Sequence, residues 1–279
     1  MKVLEERFAV HLDDYKHYDT EKLRKHFLVE NIFTADQVEF TYTHYERLMV
    51  GGVMPVTKPV VLETYDQLKM DFFLARRELG AINIGGSGKV SVDGEVYEIG
   101  TKEALYIGRG AKDVIFSSDD TNNPAKFYLN STPAHQTYPT KKVNKENSKV
   151  LHMGAGDTCN ERDIYQLMIN TVLDTCQLQM GMTELKPGSI WNTMPMHTHS
   201  RRMEAYFYFN IPDTHAVCHF MGPAEETRHI WVGNEQAVVS PPWSMHSGVG
   251  TANYTFIWGM AGENMDYTDM DFHKPSELK

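Results

Sequence analysis

Cysteine is scarce, since Cys159, Cys176 and Cys218 are the only three in 279 residues, odd in number and widely spaced. This excludes a disulfide framework and a CxxC metal or redox site, and leaves them as reduced packing residues. Basic charge is also short. Lys and Arg number 27 against 37 Asp and Glu, for a formal net charge of -10. That balance argues against a nucleic-acid partner or an anionic membrane surface, because either requires a concentrated basic face. An anionic substrate would have to find local Arg or Lys. No uninterrupted apolar run approaches the ~18 residues of a membrane span, and Met1-Lys-Val-Leu-Glu-Glu lacks the apolar core of a signal peptide. A cytoplasmic protein without a membrane partner is expected.

What the chain does have is 41% hydrophobic residues, enough to build proper cores. The first forty residues are polar, with helices expected around Thr20 to Val29 and after Thr34-Ala-Asp. Short alternating or β-branched segments follow, such as Val38-Glu-Phe-Thr-Tyr-Thr and Lys89-Val-Ser-Val, separated by Gly, Asp and Asn turns. This texture predicts an all-β antiparallel sandwich or barrel. Ala75-Arg-Arg-Glu-Leu-Gly resembles Ser200-Arg-Arg-Met-Glu-Ala, and Glu103-Ala-Leu-Tyr-Ile resembles Gln236-Ala-Val-Val-Ser at a similar separation. Two copies of one barrel are therefore expected. The boundaries read as a partly helical arm over 1–40, a first barrel over 41–131, a Pro-, Thr- and Lys-rich linker over 132–160, and a second barrel over 161–279.

The sharpest local signal is Met196-His-Thr-His-Ser-Arg-Arg-Met-Glu. Residues two apart in a strand share a face, so His197 and His199 can aim at one point, and a hairpin through Ser200–Arg202 would return Glu204 beside them. His246, presented by the turn Ser240-Pro-Pro-Trp-Ser-Met, supplies a fourth donor. Such a set suits Zn, Fe, Mn or Ni without choosing among them. In the first copy Asp113 stands in the place of the last histidine, and Asp71 and Phe73 in the places of the paired ones, so a single metal per chain is expected. Gly85-Gly-Ser-Gly-Lys lacks the upstream Gly and the following Ser or Thr of a phosphate loop, and reads as a hairpin turn. His215 and His219 lack a carboxylate at ligand spacing and read as strand-surface or interface residues.

The HxHx4E pattern, the later histidine after a proline turn and the Gly233-Asn-Glu-Gln lead-in resemble the cupins, implying two jelly-roll barrels; Trp243 stands where those proteins usually carry glycine. Over the whole length the chain is similar to the 4-deoxy-L-threo-5-hexosulose-uronate ketol-isomerases. The resemblance is carried by Phe27-Leu-Val-Glu, Val50-Gly-Gly-Val-Met-Pro, Arg76-Arg-Glu-Leu-Gly, Thr137-Tyr-Pro-Thr-Lys-Lys-Val, Trp191-Asn-Thr-Met-Pro, Glu226-Thr-Arg-His, His246-Ser-Gly-Val-Gly-Thr and Phe256-Ile-Trp-Gly-Met. It implies Zn2+, an isomerase of pectin and polyuronate breakdown acting on a small sugar acid, and a homo-oligomer, commonly a hexamer. Moving a carbonyl to the next carbon passes through an enediolate, whose developing charge a metal can stabilise. Glu204, Tyr206, Tyr208 and His229 are candidates for proton transfer. Arg202 and Arg228 are candidates for the substrate carboxylate. Rival readings are a 5-deoxyglucuronate isomerase of inositol breakdown, an Fe(II) cupin dioxygenase, and a non-catalytic sugar-acid binding cupin.

Overall fold

The computed structural model describes residues 4–263 and 267–279. The chain is mostly β and divides into two compact units: residues 1–7, 31–149 and 167–179 in the first, and residues 8–30, 150–166 and 180–279 in the second. Each unit is a sandwich of a larger and a smaller sheet. In the first, seven strands run in the order Glu5–Arg7, Val38–Thr43, Met49–Val53, Phe127–Pro133, Arg77–Asn83, Ala104–Ile107, Lys141–Val143. The smaller sheet orders Val60–Val61, Val114–Ser118, Gly88–Val92, Glu95–Ile99. Inward residues of both sheets, among them Leu79, Leu105, Phe127, Val90 and Phe116, form one core.

The second unit repeats the plan. Its larger sheet runs Lys149–Met153, Arg162–Met168, Gln179–Leu185, Thr255–Gly262, Arg202–Phe209, Gln236–Ser240, Leu28–Val29. Its smaller one runs Arg228–Val232, Val217–Gly222, Met245–Gly250, Trp191–Thr198, Asp271–Phe272. Arg77–Asn83 and Arg202–Phe209 hold the same place, as do Ala104–Ile107 and Gln236–Ser240. The two repeats visible in the sequence are thus equivalent strands of two cupin-type barrels.

Four expectations need correction. The arm over 1–40 is not one body. Glu5–Arg7 pairs in parallel with Val38–Thr43, whereas Leu28–Val29 extends the second unit by pairing with Gln236–Ser240. The helix Thr20–Phe27 forms, with the Asp19 carboxylate accepting from Lys22 N as its N-cap. No helix follows Thr34. Asp36 instead takes a left-handed turn (φ 59°) and its carboxylate accepts from the backbone N–H of Val56 and Thr57. The segment 132–160 is likewise no free linker, since Lys141–Val143 pairs with Ala104–Ile107 and Lys149–Met153 joins the second larger sheet. Finally, Gly85–Gly86 is not a hairpin turn, because the strands it joins, Arg77–Asn83 and Gly88–Val92, belong to different sheets.

In the first barrel, Phe73 is buried and stacks on Phe40 at 5.2 Å, while Asp71 and Asp113 are exposed. In the second, Trp243 packs against Tyr15 (4.9 Å) and Phe27 (6.2 Å), so the aromatic in the glycine slot clamps residues 8–30 to their barrel. A Cβ on Gly181 would stand 2.1 Å from the Trp258 ring, so only glycine lets that indole lie flat on the neighbouring strand. Among the described residues no helix is long and apolar enough to cross a membrane.

Candidate metal centre

Strand parity brings the candidate ligands together. Trp191–Thr198 pairs antiparallel with Met245–Gly250, with His197 directly opposite His246, and their Nε2 atoms are 3.1 Å apart. His199 lies just beyond the end of the first of these strands. The chain then turns through Ser200–Arg201, which is a corner between sheets rather than a hairpin, and enters Arg202–Phe209 of the larger sheet. On that strand the even-numbered Arg202, Glu204 and Tyr206 face the interior. Glu204 Oε2 accepts from His199 Nε2 (3.1 Å) and lies 2.8 Å from His246 Nε2.

All four side chains are buried, and one donor atom from each lies within 4.8 Å of the others. Nitrogen and oxygen donors about 2.0–2.2 Å from one zinc-like ion stand roughly 3–3.5 Å apart, close to the spacings seen. Two imidazole Nε2 atoms in contact can share at most one proton, so hydrogen bonding alone leaves the cluster short of partners. The three Nδ1 atoms are buried without partners among the described residues. Packing therefore sets the ring planes: His197 meets His246 and His199 edge-on at 4.6 and 4.7 Å, and Tyr206 meets His246 edge-on at 5.1 Å.

The protonation states suit a cation. Burial, with His246 and His199 as neighbours, pushes the His197 imidazole well below its usual pKa. Burial also lowers that of His199, against the opposing pull of Glu204. For Glu204 burial works upward, but the charges and hydrogen bonds of His246 and His199 prevail and hold its carboxyl below the usual range. Neutral imidazoles beside a carboxylate are the forms that bind a divalent ion. The residues present fit one.

His197, His199 and Glu204 open onto a cavity of about 200 Å³, and His246 lies behind them. This is smaller than the roughly 300–1,000 Å³ pockets that take drug-sized ligands, and of a size for a single small molecule. Its walls are largely apolar, with Phe256, Trp258 and Met260 among them.

A sequence model of the KduI/IolB family matches residues 27–277. The chain belongs to that family. It is 58% identical over 275 residues to the 4-deoxy-L-threo-5-hexosulose-uronate ketol-isomerase of Formosa agariphila, with 99% of this chain and 98% of that protein covered. Membership at this identity makes the chain an isomerase. An IolB-like protein from Salmonella typhimurium shares the fold at a TM-score of 0.72 and 13% identity, covering 88% of this chain and 96% of its own. Oxalate decarboxylase of Bacillus subtilis, a protein described with Mn(II) centres, does so at 0.56 and 11%, covering 80% and 71%.

Not every candidate of the family member's sequence reaches the cavity. Arg228 and His229 lie on the edge strand Arg228–Val232, where Ile230 and Val232 point inward. Arg228 pairs with Glu226 at 2.6 Å, and His229 is exposed. Neither lines the cavity, so the structure gives no support to a catalytic His229 or a substrate-binding Arg228. His219 is no surface residue either. It shares the inward face of its strand with Val217 and Met221, is fully buried, and its Nδ1 meets the Tyr208 hydroxyl at 2.7 Å. Burial lowers its pKa to about 3. Arg202 lines the cavity and pairs with Asp269 at 2.8 Å.

Sequence reasoning missed Arg162, Thr193 and Tyr267, which also line the cavity. A signal existed for Arg162: it alternates with Ile164 and Gln166 on one face of Arg162–Met168, an arginine on the side of the strand that should be apolar.

Proposed function

We propose that this chain interconverts 5-dehydro-4-deoxy-D-glucuronate and 3-deoxy-D-glycero-2,5-hexodiulosonate, with one Zn2+ per chain held by His197, His199, Glu204 and His246. The observation that carries this reading is the buried cluster of three imidazoles and one carboxylate at the wall of a small cavity. The ketol-isomerase name of the Formosa agariphila relative supplies the substrate. The reaction moves the C2 hydrogen to C1 and the O2 proton to O1, with no net oxidation. A divalent ion held by these four residues would supply a Lewis acid for the charge that develops on oxygen.

The chain's own residues complete the chemistry. Glu204, kept ionised, completes the ligand set. Burial, with the Glu204 charge adding to it, drives the Tyr206 phenol well above its usual pKa, so it keeps its proton. Its hydroxyl shares a 2.9 Å hydrogen bond with Thr193 Oγ1, which holds the phenol in place at the cavity wall. The apolar walls keep bulk water from the enediol stage. Replacing Tyr206 with phenylalanine is expected to lower kcat about 100-fold while leaving metal content unchanged. An unaltered kcat in steady-state assays removes Tyr206 from the mechanism.

The same reading makes the protein a cytoplasmic homohexamer of pectin and polyuronate degradation, on the strength of family resemblance. Turnover of 5-dehydro-4-deoxy-D-glucuronate before chelation, after it, and with zinc restored tests the assignment, with 5-deoxyglucuronate run in parallel. Metal-dependent conversion of the first substrate supports it. Conversion of 5-deoxyglucuronate alone transfers the chain to the inositol reaction.

A further inference from the structure

We propose that Arg162, and not Arg202, is the residue that receives the carboxylate of the sugar-acid substrate. This inference rests on the function proposed above. Three arginines of the described chain are buried: Arg77, Arg162 and Arg202. A desolvated guanidinium is costly unless its donors are satisfied, and the three differ in how that is met. Arg77 donates to Ser131 Oγ, Ser131 O and Arg47 O. Arg202 has the Asp269 carboxylate at 2.8 Å. Arg162 is 4% exposed, yet its guanidinium makes one hydrogen bond among the described residues, from Nη1 to Asn160 O at 2.7 Å. Its Nε is buried without a partner, and no described carboxylate pairs with it.

The cation so left uncompensated lines the cavity that holds the metal ligands. The substrate has the polarity to use it. Its reacting carbons are C1 and C2, which belong beside His197, His199 and Glu204, and its carboxylate is at C6, the far end of the carbon chain. Both arginines line this cavity, and they differ in what already holds them. Arg202 is taken up by the Asp269 carboxylate. Arg162 offers free donors to an arriving anion, and guanidinium matches carboxylate geometry. Burial lowers the proton affinity of Arg162, a cost that a bound carboxylate relieves.

The test compares zinc-loaded wild type, Arg162→Gln and Arg162→Lys on the uronate and on its analogue bearing CH2OH in place of the C6 carboxylate. Wild type is expected to show a KM for the uronate about 10- to 100-fold below that for the analogue. Arg162→Gln is expected to erase that difference by raising KM for the uronate alone, with one zinc per chain retained. Arg162→Lys is expected to recover part of it. Equal KM values for both substrates in wild type, or an Arg162→Gln variant that keeps the wild-type preference, overturn the assignment of Arg162. If Arg162→Gln does not fold, the wild-type comparison and the lysine variant still decide. Failure of wild type to convert the uronate at all fails the proposed function instead, which separates the two.

Discussion

Replacing His246 with alanine is expected to empty the metal centre and lower kcat/KM on the keto-uronate by about 10³-fold or more. His246 is 1% exposed, and its Nε2 lies 2.8 Å from Glu204 and 3.1 Å from His197. It therefore ties the smaller sheet, which carries both histidines, to the larger sheet, which carries the carboxylate. Without it the Glu204 charge stays buried with one imidazole partner fewer, a loss that costs several kcal/mol in a desolvated site. The control is His229→Ala, an exposed histidine of the same barrel, for which metal content and rate are expected to stay at wild-type values. Elemental analysis of both proteins, read beside turnover, decides the matter. A His246→Ala protein that still carries one ion per chain and turns over normally removes His246 from the ligand set.

What could be read in advance, and what could not, follows from the nature of strands. The period of two makes His197 and His199 co-facial whatever the fold, and the repeated Arg-Arg segments announce two equivalent strands. Which face is inward needs the flanking residues. Ile230 and Val232 place His229 outside, and Val217 and Met221 place His219 inside. Arginine on a strand ordinarily points to water, and Arg162 does not. Its burial is set by strands distant in sequence, such as Gln179–Leu185 and Thr255–Gly262. Composition misled most at the arm and the linker. Polar residues there still pair as edge strands, because an edge asks for backbone hydrogen bonds rather than apolar side chains.

Loss of Glu78 is expected to destabilise the protein by about 3–5 kcal/mol without touching the metal. Glu78 is fully buried on Arg77–Asn83, the counterpart of the strand that bears Glu204. Its Oε1 accepts from the backbone N–H of Gln177 and Leu178, both at 2.9 Å, and its Oε2 from Cys176 N at 2.8 Å and the Tyr106 hydroxyl at 2.7 Å. Four donors converge on two oxygens, and three come from consecutive peptides, so the carboxylate pins the segment 167–179 inside the first unit. Alanine would strand all four donors. Glutamine keeps one acceptor oxygen and turns an amide N–H toward the rest, so its expected cost is smaller. Denaturant unfolding checks the order, with zinc content of the folded fraction measured alongside; wild-type stability in Glu78→Ala would contradict it. The two barrels thus put a buried glutamate on the same strand to different ends. Peptide N–H groups cannot surrender their protons to make room for a cation, so Glu78 holds backbone. The imidazoles around Glu204 turn lone pairs to the same point, and that carboxylate is free to hold a metal.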